Sequence, residues 1–377
     1  MGVIEKLKKK SASPWSFSLY METALYDPEY GYYKKDHIKL GKEGDFYTSN
    51  HVHPVFAKTF ARFFSDVIKK EGLFPVICEW GAGDGRFARN VLSCLKENDG
   101  DLFEKVQYLI VETSPYHQRG IQETVGELYD KIQMFQDFEE VRQKLPSFNG
   151  IIFSNELIDA FPVDVVEKTE SGYLEVKVDL VEGTLKEKLV PCSNKDIIHW
   201  LDHYGPELPL QHRTEINLSM KEWLRQVASW VNHGIIVTVD YGYSNNELIA
   251  PERRDGSLRG YYQHQMINNP LQYPGEMDLT SHIQWDAFRK ILRENNFSEI
   301  FHERQDKFLL KAGLFTFLEE VKDYHPFSET FKLNRAIQTL VQPGGISSSF
   351  QVNIQGKNVV HSENYGLFNE DPYQINK

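Results

Sequence analysis

The chain has 377 residues, 41% of them hydrophobic, 25% charged and 13% aromatic, with a net charge of -12. This length holds one large domain with insertions or two ordinary domains, and the composition is that of an ordinary soluble globular protein. The negative balance, with no basic run longer than Lys8-Lys9-Lys10, argues against a phosphate-backbone footprint and so against nucleic acid as a partner; no apolar run reaches membrane-spanning length, so no membrane insertion is expected.

The first residues, Met1 to Ser13, are basic but run into Pro14-Trp15-Ser16 and not into an apolar stretch, so no secretory signal is expected. From Pro14 to Asn50 the chain is dense in tyrosine, glycine and aspartate without sustained periodicity, and is read as a loop-rich cap. His53 to Glu71 carries Val55, Phe56, Phe60, Phe63, Phe64, Val67 and Ile68 at the spacing of one helix face. Strands are then predicted at Pro75–Trp80, Gln107–Glu112 and Gly150–Ser154, with helices over Arg86–Lys96 and Pro115–Leu128 between them. Strands alternating with helices predict an α/β fold: a mostly parallel, Rossmann-like sheet with helices on both faces. The runs Tyr173–Leu180 and Leu185–Val190 around Glu182-Gly183 predict an antiparallel hairpin inside an inserted α+β subdomain. Afterwards the core pattern resumes, with a helix at Trp223–Trp230, a buried strand at Gly234–Asp240, a helix at Trp285–Asn295 and a strand at Ser298–Phe301. Polar bias near Gly344–Ser349 and after His361 suggests a weakly ordered end.

Between the first strand and its helix lies Glu79-Trp80-Gly81-Ala82-Gly83-Asp84-Gly85. A glycine-rich turn at this point lets a ligand lie against the backbone. The dinucleotide fingerprint places its third glycine where this chain has Arg86, which argues against a nicotinamide cofactor, and no Gly-Lys-Ser/Thr follows to form a P-loop. A sulfonium cofactor carries an amino-acid end and a nucleoside but no pyrophosphate, so Glu79 is tolerable beside the turn and could help hold the ammonium group. Glu112, at the end of the second strand, is placed to accept hydrogen bonds from both ribose hydroxyls. Asp137 and Phe138 could offer an acceptor and an apolar face to adenine, although Asp137 equally suits a helix cap. S-adenosyl-L-methionine is therefore the expected cofactor, with Gly81, Ala82, Gly83 and Gly85 as its cradle.

Past the strand at Gly150 come Asn155, Glu156 and Asp159, where ligands meet the carboxyl ends of parallel strands. Methyl transfer needs an acceptor held in line and a group to take its proton. An arginine acceptor needs carboxylates for both tasks, and Glu156 and Asp159 share one face if a helix starts here. The bland alternative is helix capping by Ser154 or Asn155. The pairs His51/His53 and His199/His203 lack accompanying acids or cysteines, so no metal is expected, and no Gly-x-Ser-x-Gly elbow supports hydrolysis. Cys78, Cys94 and Cys192 are widely separated, which fits a reducing compartment and a cytoplasmic location.

Six strings together are similar to the MidA family of methyltransferases, which includes mitochondrial assembly factors for respiratory complex I and many bacterial relatives: Gly44-Asp45-Phe46-Tyr47-Thr48-Ser49, the Glu79–Gly85 turn, Ser154–Val163, Val239-Asp240-Tyr241-Gly242, Gly256–Tyr261 leading to His264, and Pro274–His282. The resemblance covers nearly the whole chain. It implies a seven-stranded methyltransferase core with the N-terminal segment and later insertions closing over the site. It also implies S-adenosyl-L-methionine and, for mitochondrial members, a protein arginine as acceptor. Carried onto this chain, the glycine turn holds the cofactor, Asn155, Glu156 and Asp159 face the acceptor, and Thr48 and Ser49 join the site from the cap. Asn50 and Ala57 depart from the family's usual proline and glycine, and no mitochondrial presequence is evident, so a bacterial-type member is expected.

The expected layout is a cap and helices over 1–70, the first part of the cofactor-binding core over 71–165, the insertion over 166–230, and the rest of the core with substrate-side insertions over 231–377. The expected activity is methylation of a protein side chain, arginine foremost. The alternatives are a non-catalytic assembly factor that holds a partner protein, and a small-molecule methyltransferase.

Overall fold

A computed structural model describes residues 2–35, 53–321, 325 and 327–373. Its strands, in chain order, are β1 (Val76–Trp80), β2 (Gln107–Val111), β3 (Ile132–Phe135), β4 (Phe148–Asn155), β5 (Asp164–Thr169), β6 (Gly172–Val181), β7 (Thr184–Pro191), β8 (Arg213–Ile216), β9 (Val231–Tyr243), β10 (Arg259–Tyr262), β11 (Gln265–Ile267), β12 (Asp278–Thr280), β13 (Ile283–Gln284), β14 (Ser298–Arg304) and β15 (Phe350–Lys357). The chain divides into two units: Met1–Phe46 with Leu157–Val227 and Tyr241–Asn295, and Tyr47–Glu156 with Ala228–Asp240 and Asn296–Lys377.

The second of these units contains the large sheet, in the order β14-β15-β9-β4-β1-β2-β3. β1 to β4 and β9 pair in parallel, and β14 with β15 antiparallel. The expected mostly parallel α/β sheet is thus observed: among the described residues its path has seven strands, and short β13 pairs with Gly242 and Tyr243, where the end of β9 runs on into the first unit. Strand order reverses between β1 and β4, the position at which open α/β sheets bind ligands. Continuous apolar runs such as Ile151-Ile152-Phe153 fit strands covered on both faces. The helix Val55–Glu71 packs its phenylalanine stripe on this sheet: the Phe60 ring lies 5.2 Å from Phe153 and 4.7 Å from Phe308. The helix Arg86–Asn98 is fixed by Phe87, which stacks on Phe153 at 4.2 Å. Where β1, β4 and β9 run side by side, a Cβ at Gly150 would stand 2.3 Å from the Val76 carbonyl oxygen, and one at Gly234 only 2.0 Å from that of Gly150.

In the first unit the expected hairpin forms between β6 and β7, with Glu182 and Gly183 both at positive φ, as a tight two-residue turn needs. These strands belong to an antiparallel sheet ordered β7-β6-β5-β8, and β11-β10-β12 form a smaller one. The N-terminal segment departs from its loop-rich expectation. Phe17–Tyr26 is a helix capped by Ser16, whose side chain accepts from the Leu19 N–H. Its buried Phe17, Tyr20, Met21, Ala24 and Leu25 share a core with Val163, Val165, Val176 and Val178. Nearly every face of that helix is covered, so it lacks the amphipathic period by which exposed helices are recognised.

Candidate active site

The turn after β1 is built as its glycines require. Gly81, Gly83 and Gly85 have φ of 69, 56 and 80°, left-handed backbone that other residues adopt only at a cost. Gly81 N donates to Val111 O at 3.0 Å, and Gly85 caps the helix that starts at Arg86. Arg86 itself turns outward to pair with Asp84 at 3.0 Å. Ala82 is buried inside the turn.

Glu112 follows β2 and is only 6% exposed, and its carboxylate accepts from backbone N–H groups. Its Oε2 accepts from Gly83 N at 3.1 Å and its Oε1 from Ser114 N at 2.7 Å. The carboxylate is thus tied to the glycine turn while both oxygens keep acceptor capacity. His117, in the first turn of the helix Pro115–Val125, brings Nδ1 to 3.8 Å from Oε2. Neither Ser114 nor His117 was among the expected site residues; their signal was closeness in sequence to Glu112 at a helix start.

Glu79 lies in β1 itself, 3% exposed, and accepts from the Tyr108 hydroxyl at 2.8 Å. Burial pushes its carboxyl up to about 8; the Tyr108 bond opposes this, and the nearby Asp84 and Glu112 charges add to it. Asp137 takes the capping role that its sequence left open, its Oδ1 accepting from Glu140 N at 2.9 Å at the start of the helix Phe138–Lys144. Phe138 is buried, its ring 5.9 Å from that of Trp80 and 5.8 Å from that of Trp230. Thr48 and Ser49 lie outside the described residues.

At the tip of β4 no helix begins. The chain bends at Glu156 and turns through Ala160, so Glu156 and Asp159 share no helix face, and neither Ser154 nor Asn155 caps a helix. Glu156 has φ of 50°, an uncommon conformation for a residue with a side chain, held by its N–H to Val239 O at 2.9 Å. The Asn155 Nδ2 donates to Glu156 Oε1 at 3.1 Å.

Asp159 falls in the other unit, 6% exposed, with the Tyr241 hydroxyl donating to its Oδ2. Burial pushes its carboxyl up to about 6, and the Tyr241 bond opposes that rise. Around it gather several of the later sequence strings. Ser281 N donates to Asp159 O at 2.8 Å, and the Tyr26 hydroxyl to Ala160 O at 2.8 Å. Glu215, buried on β8, accepts from Ser257 N, Ser257 Oγ and Leu258 N, while Ser257 Oγ accepts from His282 N. His282 lies against the rings of Tyr241 and Tyr243 at 5.0 and 4.8 Å. Burial, followed by Arg259 and Arg253, lowers its imidazole to about 3, so it is neutral. Among the described residues no group of three or more His, Cys, Asp and Glu could hold a metal ion, and no helix is long and apolar enough to cross a membrane.

Comparison with known proteins bears on this geometry. The sequence profile of a family of S-adenosyl-L-methionine-dependent methyltransferases matches residues 56–301. Rattus norvegicus protein arginine methyltransferase NDUFAF7, mitochondrial, is 24% identical over 333 residues, 81% of this chain and 72% of that protein. The Danio rerio protein of the same name is 23% identical over 372 residues, 93% of this chain and 86% of its own length. The fold matches the crystal structure of a COG1565 superfamily member from Burkholderia thailandensis bound to S-adenosyl-homocysteine, with a TM-score of 0.84 and 25% identity over 98% of this chain and 93% of that one. A left-handed glycine turn beside a buried carboxylate with unused acceptor capacity suits such a ligand. The chain belongs to this family of S-adenosyl-L-methionine-dependent methyltransferases, and S-adenosyl-L-methionine is its cofactor.

Proposed function

We propose that the protein methylates a protein side chain, arginine foremost, with Glu156 and Asp159 binding the acceptor and Asp159 taking its proton. The observation that carries this is Asp159: a buried carboxylate pushed up to about 6, three residues beyond a glutamate held at positive φ. A base of that strength is ionised at neutral pH yet can accept a proton. The relatives named protein arginine methyltransferases support the choice of acceptor.

The bound cofactor supplies an electrophilic methyl group. For its retention we assign the backbone of Gly81, Ala82, Gly83 and Gly85, with Glu112 on the ribose hydroxyls. Glu79 takes the ammonium end, and Asp137 with Phe138 the adenine, the Asp137 Oδ1 serving its cap and Oδ2 the base. Thr48 and Ser49 complete the set from the N-terminal segment. Asn155 donates its amide to the Glu156 carboxylate, and to that carboxylate we assign the orienting of a guanidinium by hydrogen bonds. The three cysteines are free, and a cytoplasmic location is part of the proposal, testable by fractionating the source cells.

Calorimetry tests the cofactor assignments: Gly83→Val or Glu112→Ala should abolish S-adenosyl-L-methionine binding, and normal affinity in both would refute them. Glu156→Gln should bind cofactor and lose methyl transfer into protein of an extract from cells lacking the enzyme. Partners recovered with Glu156→Gln, and no methylated product from the parent protein, would favour a non-catalytic assembly role.

A further inference from the structure

We propose that Tyr241 is the positioning residue of Asp159: its phenol holds the carboxylate in one orientation and in its ionised form, ready to take the acceptor proton. The inference rests on the reading of Asp159 as the base.

The geometry is local to one unit. β9 runs on past Asp240, and its last residues are fixed by parallel pairing of Gly242 with Ile283 and Tyr243 with Gln284. Alternation along the strand turns Tyr241 and Tyr243 to one side, and both rings rest on His282. From that anchored position Tyr241 reaches Asp159 Oδ2 with its hydroxyl. Of the neighbouring phenols, Tyr26 donates to Ala160 O, and Tyr33 donates to Asp278 Oδ1 at 2.8 Å.

Among the described residues, charged and titratable groups near Asp159 come from several elements. Tyr26 and Tyr33 come from the N-terminal segment, Tyr241 and Tyr243 from β9, Arg259 and Tyr261 from β10, and Asp278 from β12 opposite Tyr261. His282 is neutral, Arg259 Nε is bonded to Ser257 O, and Arg253 lies 3.9 Å from the Tyr243 ring. Asp278 is a second buried carboxylate, and both it and Asp159 act on Tyr33 and Tyr261. The burial of Asp159 favours its neutral form, and the donor that Tyr241 aims at it is the side-chain contact that opposes this.

The sign follows. Removing a donor from the charged form raises the carboxyl's titration point, so less base is present at low pH. A hydrogen bond to a charged group has a typical strength equivalent to about one to two pH units. Tyr241→Phe should therefore move the acid limb of methyl transfer upward by that amount. Starting from about 6, this is roughly a three- to twenty-five-fold loss at pH 6.5, recovered by pH 9.

The test measures two things on the full chain. One is the pH profile of tritiated methyl incorporation into the protein of an extract from cells lacking the enzyme. The other is the carbon-13 carboxyl titration of aspartate-labelled protein, with the Asp159 signal identified by Asp159→Asn. Tyr243→Phe, which removes a hydroxyl from the same strand end, serves as control and should leave the Asp159 titration in place. A joint upward shift of profile and signal in Tyr241→Phe supports the proposal. An unmoved Asp159 signal, or an equal shift in Tyr243→Phe, overturns the role of Tyr241. A moved signal with an unmoved rate profile overturns Asp159 as the base, and Tyr241's part in the reaction with it.

Discussion

Replacing Glu79 by glutamine should stabilise the ligand-free protein, and more so as pH rises. The folded chain holds this carboxyl up to about 8 against an ordinary value of 4.5, chiefly through burial in β1. Between those values the folded state binds a proton that the unfolded chain has released, so stability falls with rising pH across that window. At 1.36 kcal/mol per pH unit the deficit is about 3 kcal/mol at pH 7, levelling off at about 5 kcal/mol above pH 8. Glutamine keeps the shape and the acceptor for the Tyr108 hydroxyl but carries no ionisation cost. Guanidinium unfolding followed by tryptophan fluorescence, run on both proteins from pH 4.5 to 9, reads the difference directly. Curves that stay parallel at all pH values, or a glutamine variant that is the less stable at pH 8, would show that Glu79 is not held protonated by its surroundings.

Two further outcomes probe the scaffold. Gly234→Ala sets a Cβ 2.0 Å from the Gly150 carbonyl oxygen between central strands, and should cost more than about 3 kcal/mol or leave the protein insoluble; a melting temperature within a few degrees of the parent would contradict this. Glu71 accepts from Val360 N, His361 N and the Tyr365 hydroxyl, each at 2.9 Å. Glu71→Ala should lower stability by about 2–4 kcal/mol and speed hydrogen exchange at Val360 and His361, whereas unchanged exchange there would refute the anchoring role.

What could be read from the sequence follows physical lines. Parallel strands buried on both faces announce themselves as apolar runs, so β1, β2, β4 and β9 were legible, and the glycine turn after β1 with them. Four-residue β3 is too short to show a period. β15 was obscured differently: it buries Asn353 and Gln355, whose amides bond to each other and, at longer range, to Glu299. A strand with polar residues facing inward reads as a polar tail. The Ser154–Val163 string drew attention to Asn155, Glu156 and Asp159, but helical spacing was the wrong frame for them, since the backbone at Glu156 turns left-handed and Pro162 follows closely. Tyr241 stood in the Val239–Gly242 string, but its role did not show there, because its partner Asp159 is 82 residues away in sequence and the extension of β9 brings them together.

β15 is also made late. The ribosome completes β9 at Tyr243 and does not reach Phe350 for another 107 residues, ~5–20 s at synthesis rates of about 20 down to about 5 residues per second. Through that interval the inner strand that will lie against β15 offers an open edge rich in Ile235, Ile236, Val237 and Val239, the kind of surface on which nascent chains pair wrongly with one another. A sheet whose interior is finished by a distant C-terminal segment therefore depends, while it is being synthesised, on whatever shields that edge until the last strand arrives.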